Sequence, residues 1–154
     1  MADSFKIKYS SRVVPIESLE TADGTLDRRI HSNIDKFLGG SNEMTFSATS
    51  TKVNYKDYTT TTSSVDLEDS TIFNDANIQL DFWYMAIREA ASTGTPDVIV
   101  GITGVSTSFI KLQNVGDFLI IPTIGSDFPG NAVSLRSSGS TTLAKVDILI
   151  GEIE

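Results

Sequence analysis

The chain has 154 residues, 40% of them apolar, with 20 acidic side chains against 12 basic ones and a net charge of −8. That length suits one domain over residues 1–154, and the apolar share excludes wholesale disorder. The absence of cysteine removes disulfides, thiol nucleophiles and cysteine-bound zinc. The acidity argues against a nucleic-acid-binding domain, whose affinity depends on neutralising phosphates.

At the N-terminus Phe5, Ile7 and Tyr9 alternate with Lys6 and Lys8, the pattern of a strand with one wet face. Val13-Val14-Pro15-Ile16 resumes an extended run. Pro15 cannot donate to a ladder, so residues 1–16 read as an extended arm that lies on another surface. The same stretch lacks the continuous apolar core of a secretion signal. Ala22-Asp23-Gly24-Thr25 is a turn signal. Residues 26–38 are ambiguous: Arg28-Arg29-Ile30-His31 could continue a strand, but a loop or short helical turn ended by Gly39-Gly40 is the favoured reading.

Alternation returns at Met44, Phe46 and Ala48, and again at Val53 and Tyr55, with threonines that favour a pleated surface. Residues 59–64, four threonines and two serines, read as a polar strand end or exposed loop. Residues 75–92 read as the one main helix. Asp75 supplies an N-cap, Gly94 a left-handed C-terminal cap, and Pro96 a stop. A strand reading competes there, because Ile78, Leu80, Phe82 and Tyr84 alternate with Gln79 and Asp81; the alanine-rich second half and the terminal signals favour helix. Beyond Pro96 the apolar runs at 98–102, 109–112, 118–121, 132–136 and 143–150 are strands about ten residues apart, the spacing of sandwiches and barrels. The fold class is mainly β, with a single helix.

The chemistry-bearing residues form no familiar catalytic pattern. His31 is the only histidine and has no second ligand at helical spacing. Asp66, Glu68 and Asp69 are the tightest acidic cluster. They are oxygen ligands in principle, without the spacing of an EF-hand loop, and read as a solvated strand end. Gly101-Ile102-Thr103-Gly104 lacks the remaining residues of a nucleotide-binding loop and reads as a turn or bulge. Trp83, Tyr55, Tyr58 and Tyr84 could form a carbohydrate platform, but Trp83 and Tyr84 fall in the expected helix and core packing is the favoured reading.

Three segments of the last third, residues 115–122, 133–140 and 145–151, are similar in texture to small structural proteins of tailed bacteriophage virions. That resemblance implies a β-sandwich or jelly roll that assembles with copies of itself, needs no cofactor and performs no catalysis. It implies a place on the virion, most simply as a capsid decoration (cement) protein bound to the major capsid protein. A tail-tube or neck ring is the alternative, and a glycan- or receptor-binding β module using Tyr55 and Tyr58 is the reading from another class. The assembly residues expected are those of the arm: Phe5, Ile7, Tyr9, Val13, Val14, Pro15 and Ile16.

Overall fold

The computed structural model describes residues 4–13, 16–20, 26–30, 38–47, 51–91, 93–102, 109–122, 128–139 and 143–153. The chain forms two compact units, Ser4–Thr45 and Phe46–Glu154. The first holds β1 (Ser4–Val13), β2 (Ile16–Glu20), β3 (Leu26–Ile30) and most of β4 (Leu38–Ser47). These strands make two two-stranded sheets: β1 pairs with β4, and β2 runs antiparallel to β3 with Ile16 opposite Ile30. Leu26–Ile30, expected to be loop or helical turn, is therefore strand. Pairing with β2 decides it, since so short a segment has no helical stability of its own. Residues 31–37, including His31, lie outside the described residues.

The second unit carries β5 (Thr51–Thr59), β6 (Val65–Asp66), β7 (Gln79–Leu80), β8 (Phe82–Ala90), β9 (Val98–Ile102), β10 (Phe109–Leu112), β11 (Phe118–Pro122), β12 (Phe128–Pro129), β13 (Val133–Ser137) and β14 (Ala144–Ile153). Two four-stranded antiparallel sheets result, ordered β11-β8-β14-β5 and β10-β9-β13-β6, while β7 and β12 pair separately. Every connection among the eight main strands crosses from one sheet to the other except the β9–β10 hairpin. The first strand, β5, lies beside the last, β14. Inward residues of both sheets meet in one core. Trp83, Met85 and Ile87 of β8 and Val146, Ile148 and Ile150 of β14 join Val98 and Val100 of β9 and Val133 and Leu135 of β13. Each side chain of this size, fully buried, contributes about 1.5–3 kcal/mol.

The helix expected over residues 75–92 is not present: the segment makes turns, then β7 and β8. Its terminal signals are real but local. Asp75 Oδ1 accepts from Asn77 N at 3.1 Å, closing a side-chain turn, and Gly94 adopts φ 122° in the β8–β9 turn. What wins is the competing alternation. Trp83, Met85 and Ile87 are buried, Tyr84 and Ala86 between them are half-buried, and Arg88 is exposed. As an inner strand β8 satisfies its backbone on both sides, through β11 and β14. A helix would have left those neighbours with open edges.

Candidate functional site

The arm residues named from sequence fall in the Ser4–Thr45 unit. Phe5, Ile7, Tyr9 and Val13 belong to β1, and Ile16 opens β2; Val14 and Pro15 lie outside the described residues. Alternation sets the faces of β1: Ile7 is buried, Tyr9 half-buried, and Lys6 and Lys8 exposed. Both lysines converge on one carboxylate of β4, with Lys6 Nζ 2.5 Å and Lys8 Nζ 3.2 Å from Glu43. Hydrogen bonds from Lys6 and then Lys8 hold the Glu43 carboxyl below its ordinary range. Asn42 Nδ2 donates to Tyr9 Oη at 3.3 Å. Lys8, Tyr9, Ser10, Ser41, Asn42 and Glu43 line a concavity of about 540 Å³.

The acidic cluster has local duties. Asp66 sits in β6 opposite Ser134. Asp69 accepts from Thr71 N at 2.8 Å and from Thr71 Oγ1 at 2.7 Å, and these two bonds lower its pKa. Among the described residues no group of three or more His, Asp or Glu side chains is arranged to hold a metal ion. Gly101 lies within the β9 ladder, opposite Ser134 and Phe109, and not in the turn or bulge expected for it. A Cβ at Gly101 would come within 2.7 Å of Ser134 Oγ, so glycine serves close packing there.

The aromatic residues split between two faces. Tyr58 and Trp83 are core, 8% and 2% exposed. Tyr55 and Tyr84 point the other way and share a row running across the sheet: Tyr55, Leu149, Tyr84, Ile120. The row beside it is Asp57, Asp147, Ala86, Phe118. Tyr55 is 61% exposed and Phe118 51%, which makes the outward face of this sheet partly apolar. Its polar corner is organised around Asp147. Tyr55 Oη donates to Asp147 Oδ1 at 2.7 Å, and Arg88 lies 3.3 Å from Asp147 and 3.6 Å from Asp57. The hydrogen bond to Asp147 raises the pKa of the Tyr55 phenol, because the proton is needed to make it.

One residue of structural weight was hidden inside the threonine–serine tract. Thr60 is fully buried. Its amide donates to Ala144 O at 2.8 Å, and its Oγ1 accepts from Ala144 N at 3.0 Å. Thr61, Thr62, Ser63 and Ser64 are exposed, as the tract's composition led one to expect.

No family model matches the chain, and no curated protein matches it. Among solved structures it is similar to a Bacillus endospore appendage from a family of disulfide-linked pili. The TM-score is 0.33 and the identity 14%, over 67% of this chain and 86% of that one. A score that low bears on neither fold nor function.

Proposed function

We propose that this chain is a non-enzymatic structural protein that assembles with copies of itself, and that its place is on a phage virion as a capsid decoration protein held to the major capsid protein. The observation that carries the reading is the composition of the Ser4–Thr45 unit, whose described strands make two two-stranded sheets. Isolated two-stranded ribbons are marginal in water and gain stability by lying on a surface. A neighbouring subunit offers one.

The strand order of the Phe46–Glu154 unit supports the same reading. Eight strands in two sheets, ordered first-last-third-sixth and second-seventh-fourth-fifth, are wired as a jelly roll. Viral capsid domains use that architecture and so do lectins, so the architecture alone does not choose between assembly and glycan binding. The tyrosines favour assembly. A glycan cleft needs Tyr55 and Tyr58 to converge, and they lie on opposite faces of the sheet. A tail-tube ring with a helix on its outer face finds no such helix in residues 75–91. The charge of −8 disfavours direct contact with nucleic acid. No helix among the described residues is long and apolar enough to cross a membrane.

The test is deletion of residues 1–16, with solution mass by light scattering and co-sedimentation with undecorated capsids as readouts. Loss of capsid binding is expected. Retained capsid binding, with the Phe46–Glu154 unit still folded, would remove the arm from the mechanism.

A further inference from the structure

β5 is the outer strand of its sheet: β14 covers one side, and among the described residues no strand pairs with the other. The other edges of the two four-stranded sheets are modest. β6 has two residues, β10 has four, and β11 has five and ends at Pro122. β5 runs for nine residues without proline, and the one irregularity of its sheet lies between β14 and β8. Natural proteins blunt such edges with short strands, prolines or bulges, and an edge left long and regular is a template for another chain.

The direction of the free groups follows from one bond. Thr60 N donates to Ala144 O, which makes Thr60 and Ala144 a hydrogen-bonded pair of the β5–β14 ladder. Alternation then turns the backbone of Asn54, Lys56 and Tyr58 toward β14, and that of Thr51, Val53, Tyr55, Asp57 and Thr59 toward the open side. An antiparallel partner must meet these outward groups with outward groups of its own.

A second copy of β5 does so, and its charges select one register. Centring the pair on Asn54 sets Lys52 against Lys56, centring on Lys56 sets lysine against lysine, and centring on Asp57 sets aspartate against aspartate. Like charges directly opposite are destabilising. Centring on Val53 overlaps only residues 51–55. Centring on Tyr55 opposes Thr51 to Thr59, Lys52 to Tyr58, Val53 to Asp57, Asn54 to Lys56 and Tyr55 to itself, over all nine residues and without a like-charge pair. Five outward pairs of this kind exchange about ten backbone hydrogen bonds. Tyr55, the most exposed large hydrophobic side chain among the described residues at 61%, then stands beside its own copy.

We propose that β5 is a dimerisation edge: two copies join antiparallel about a two-fold axis at Tyr55, fusing two four-stranded sheets into one of eight strands. This rests on the self-assembly proposed above and gives it an interface. The chain has no cysteine, so Tyr55→Cys introduces a single thiol. Across the proposed axis the two Cα atoms lie about 5.5 Å apart, inside the disulfide range of about 4.4–6.8 Å. Tyr55→Pro removes an amide that faces the open side and leaves the β14 ladder intact, a setting in which an edge strand tolerates proline.

Light scattering of the full chain is expected to give at least twice the monomer mass of 16.7 kDa, and Tyr55→Pro at least a two-fold lower mass with an unchanged circular dichroism spectrum. Under mild oxidation Tyr55→Cys is expected to form a covalent dimer at least ten-fold faster than Val115→Cys, a control at another exposed site. A wild-type chain that is monomeric at every concentration overturns both the self-assembly and this interface. A wild-type chain that assembles, with Tyr55→Cys cross-linking no faster than the control, overturns the interface alone; so does a folded Tyr55→Pro of undiminished mass.

Discussion

Replacing Thr60 by valine keeps the shape of the side chain and deletes one acceptor. The Ala144 amide that now donates to Thr60 Oγ1 at 3.0 Å would be left buried and unpaired, since both residues are fully inaccessible to solvent. A buried amide without a partner costs about 1–3 kcal/mol. For a chain of this length each kcal/mol lowers Tm by about 2–4 °C, so the expected fall is about 2–12 °C. Trp83 is the sole tryptophan and lies in the core, which makes its fluorescence a direct probe of this unit in a urea titration. The midpoint should move to lower urea with the slope unchanged, as for a variant that alters stability and not the extent of unfolding. Thr61→Val is the control: its hydroxyl donates to Ser63 O from an exposed position, and the change should stay within about 0.5 kcal/mol. Coincident midpoints for Thr60→Val and Thr61→Val would refute the reasoning, because the hydroxyl would then hold nothing that water cannot.

Two further outcomes are expected. Tyr58 Oη is buried without a hydrogen-bond partner among the described residues, so Tyr58→Phe should leave stability unchanged or raise it by up to about 1 kcal/mol; a clear loss in the same titration would show that the hydroxyl is used. Asp117 accepts from the amides of Gln113 and Asn114, which depresses its carboxyl pKa in the folded chain. Its contribution is therefore complete above the ordinary aspartate value of about 3.9 and is lost as pH falls through the lower folded value. Asp117→Ala should lower Tm at neutral pH and converge with wild type in acid; a gap that persists at the lowest pH compatible with folding would contradict the capping role.

Most strands were legible because their burial alternates along the sequence. Val133, Leu135 and Ser137 face in, and so do Val146, Ile148 and Ile150, each separated from the next by a half-buried or exposed residue. Residues 75–92 misled because capping residues act on the nearest turn whatever follows it. Asp75 and Gly94 did what such residues do, yet the conformation between them was decided by β11 and β14, distant in sequence. The candidate site was legible only as residue types. Nothing local distinguishes Thr60 from the threonines beside it, since its partner lies 84 residues away. Likewise a glycan-binding module needs Tyr55 and Tyr58 on one face, whereas three positions along a strand means opposite faces.

The adjacency of β5 and β14 also sets the order in which this molecule can come into being. Tyr55 and Asp147 touch across 92 residues of chain. β14 is the strand to which β5 and β8 are both hydrogen-bonded. Until β14 has been synthesised, β5 has no partner among the described strands and the sheet has no middle. Folding of this sheet is therefore dominated by distant pairings, which places it among the slow all-β class that folds in milliseconds to seconds. On the ribosome β5 waits, unpaired, through the making of nearly everything else. During that interval both of its edges are open to other nascent chains, a liability that molecules built from local contacts do not carry.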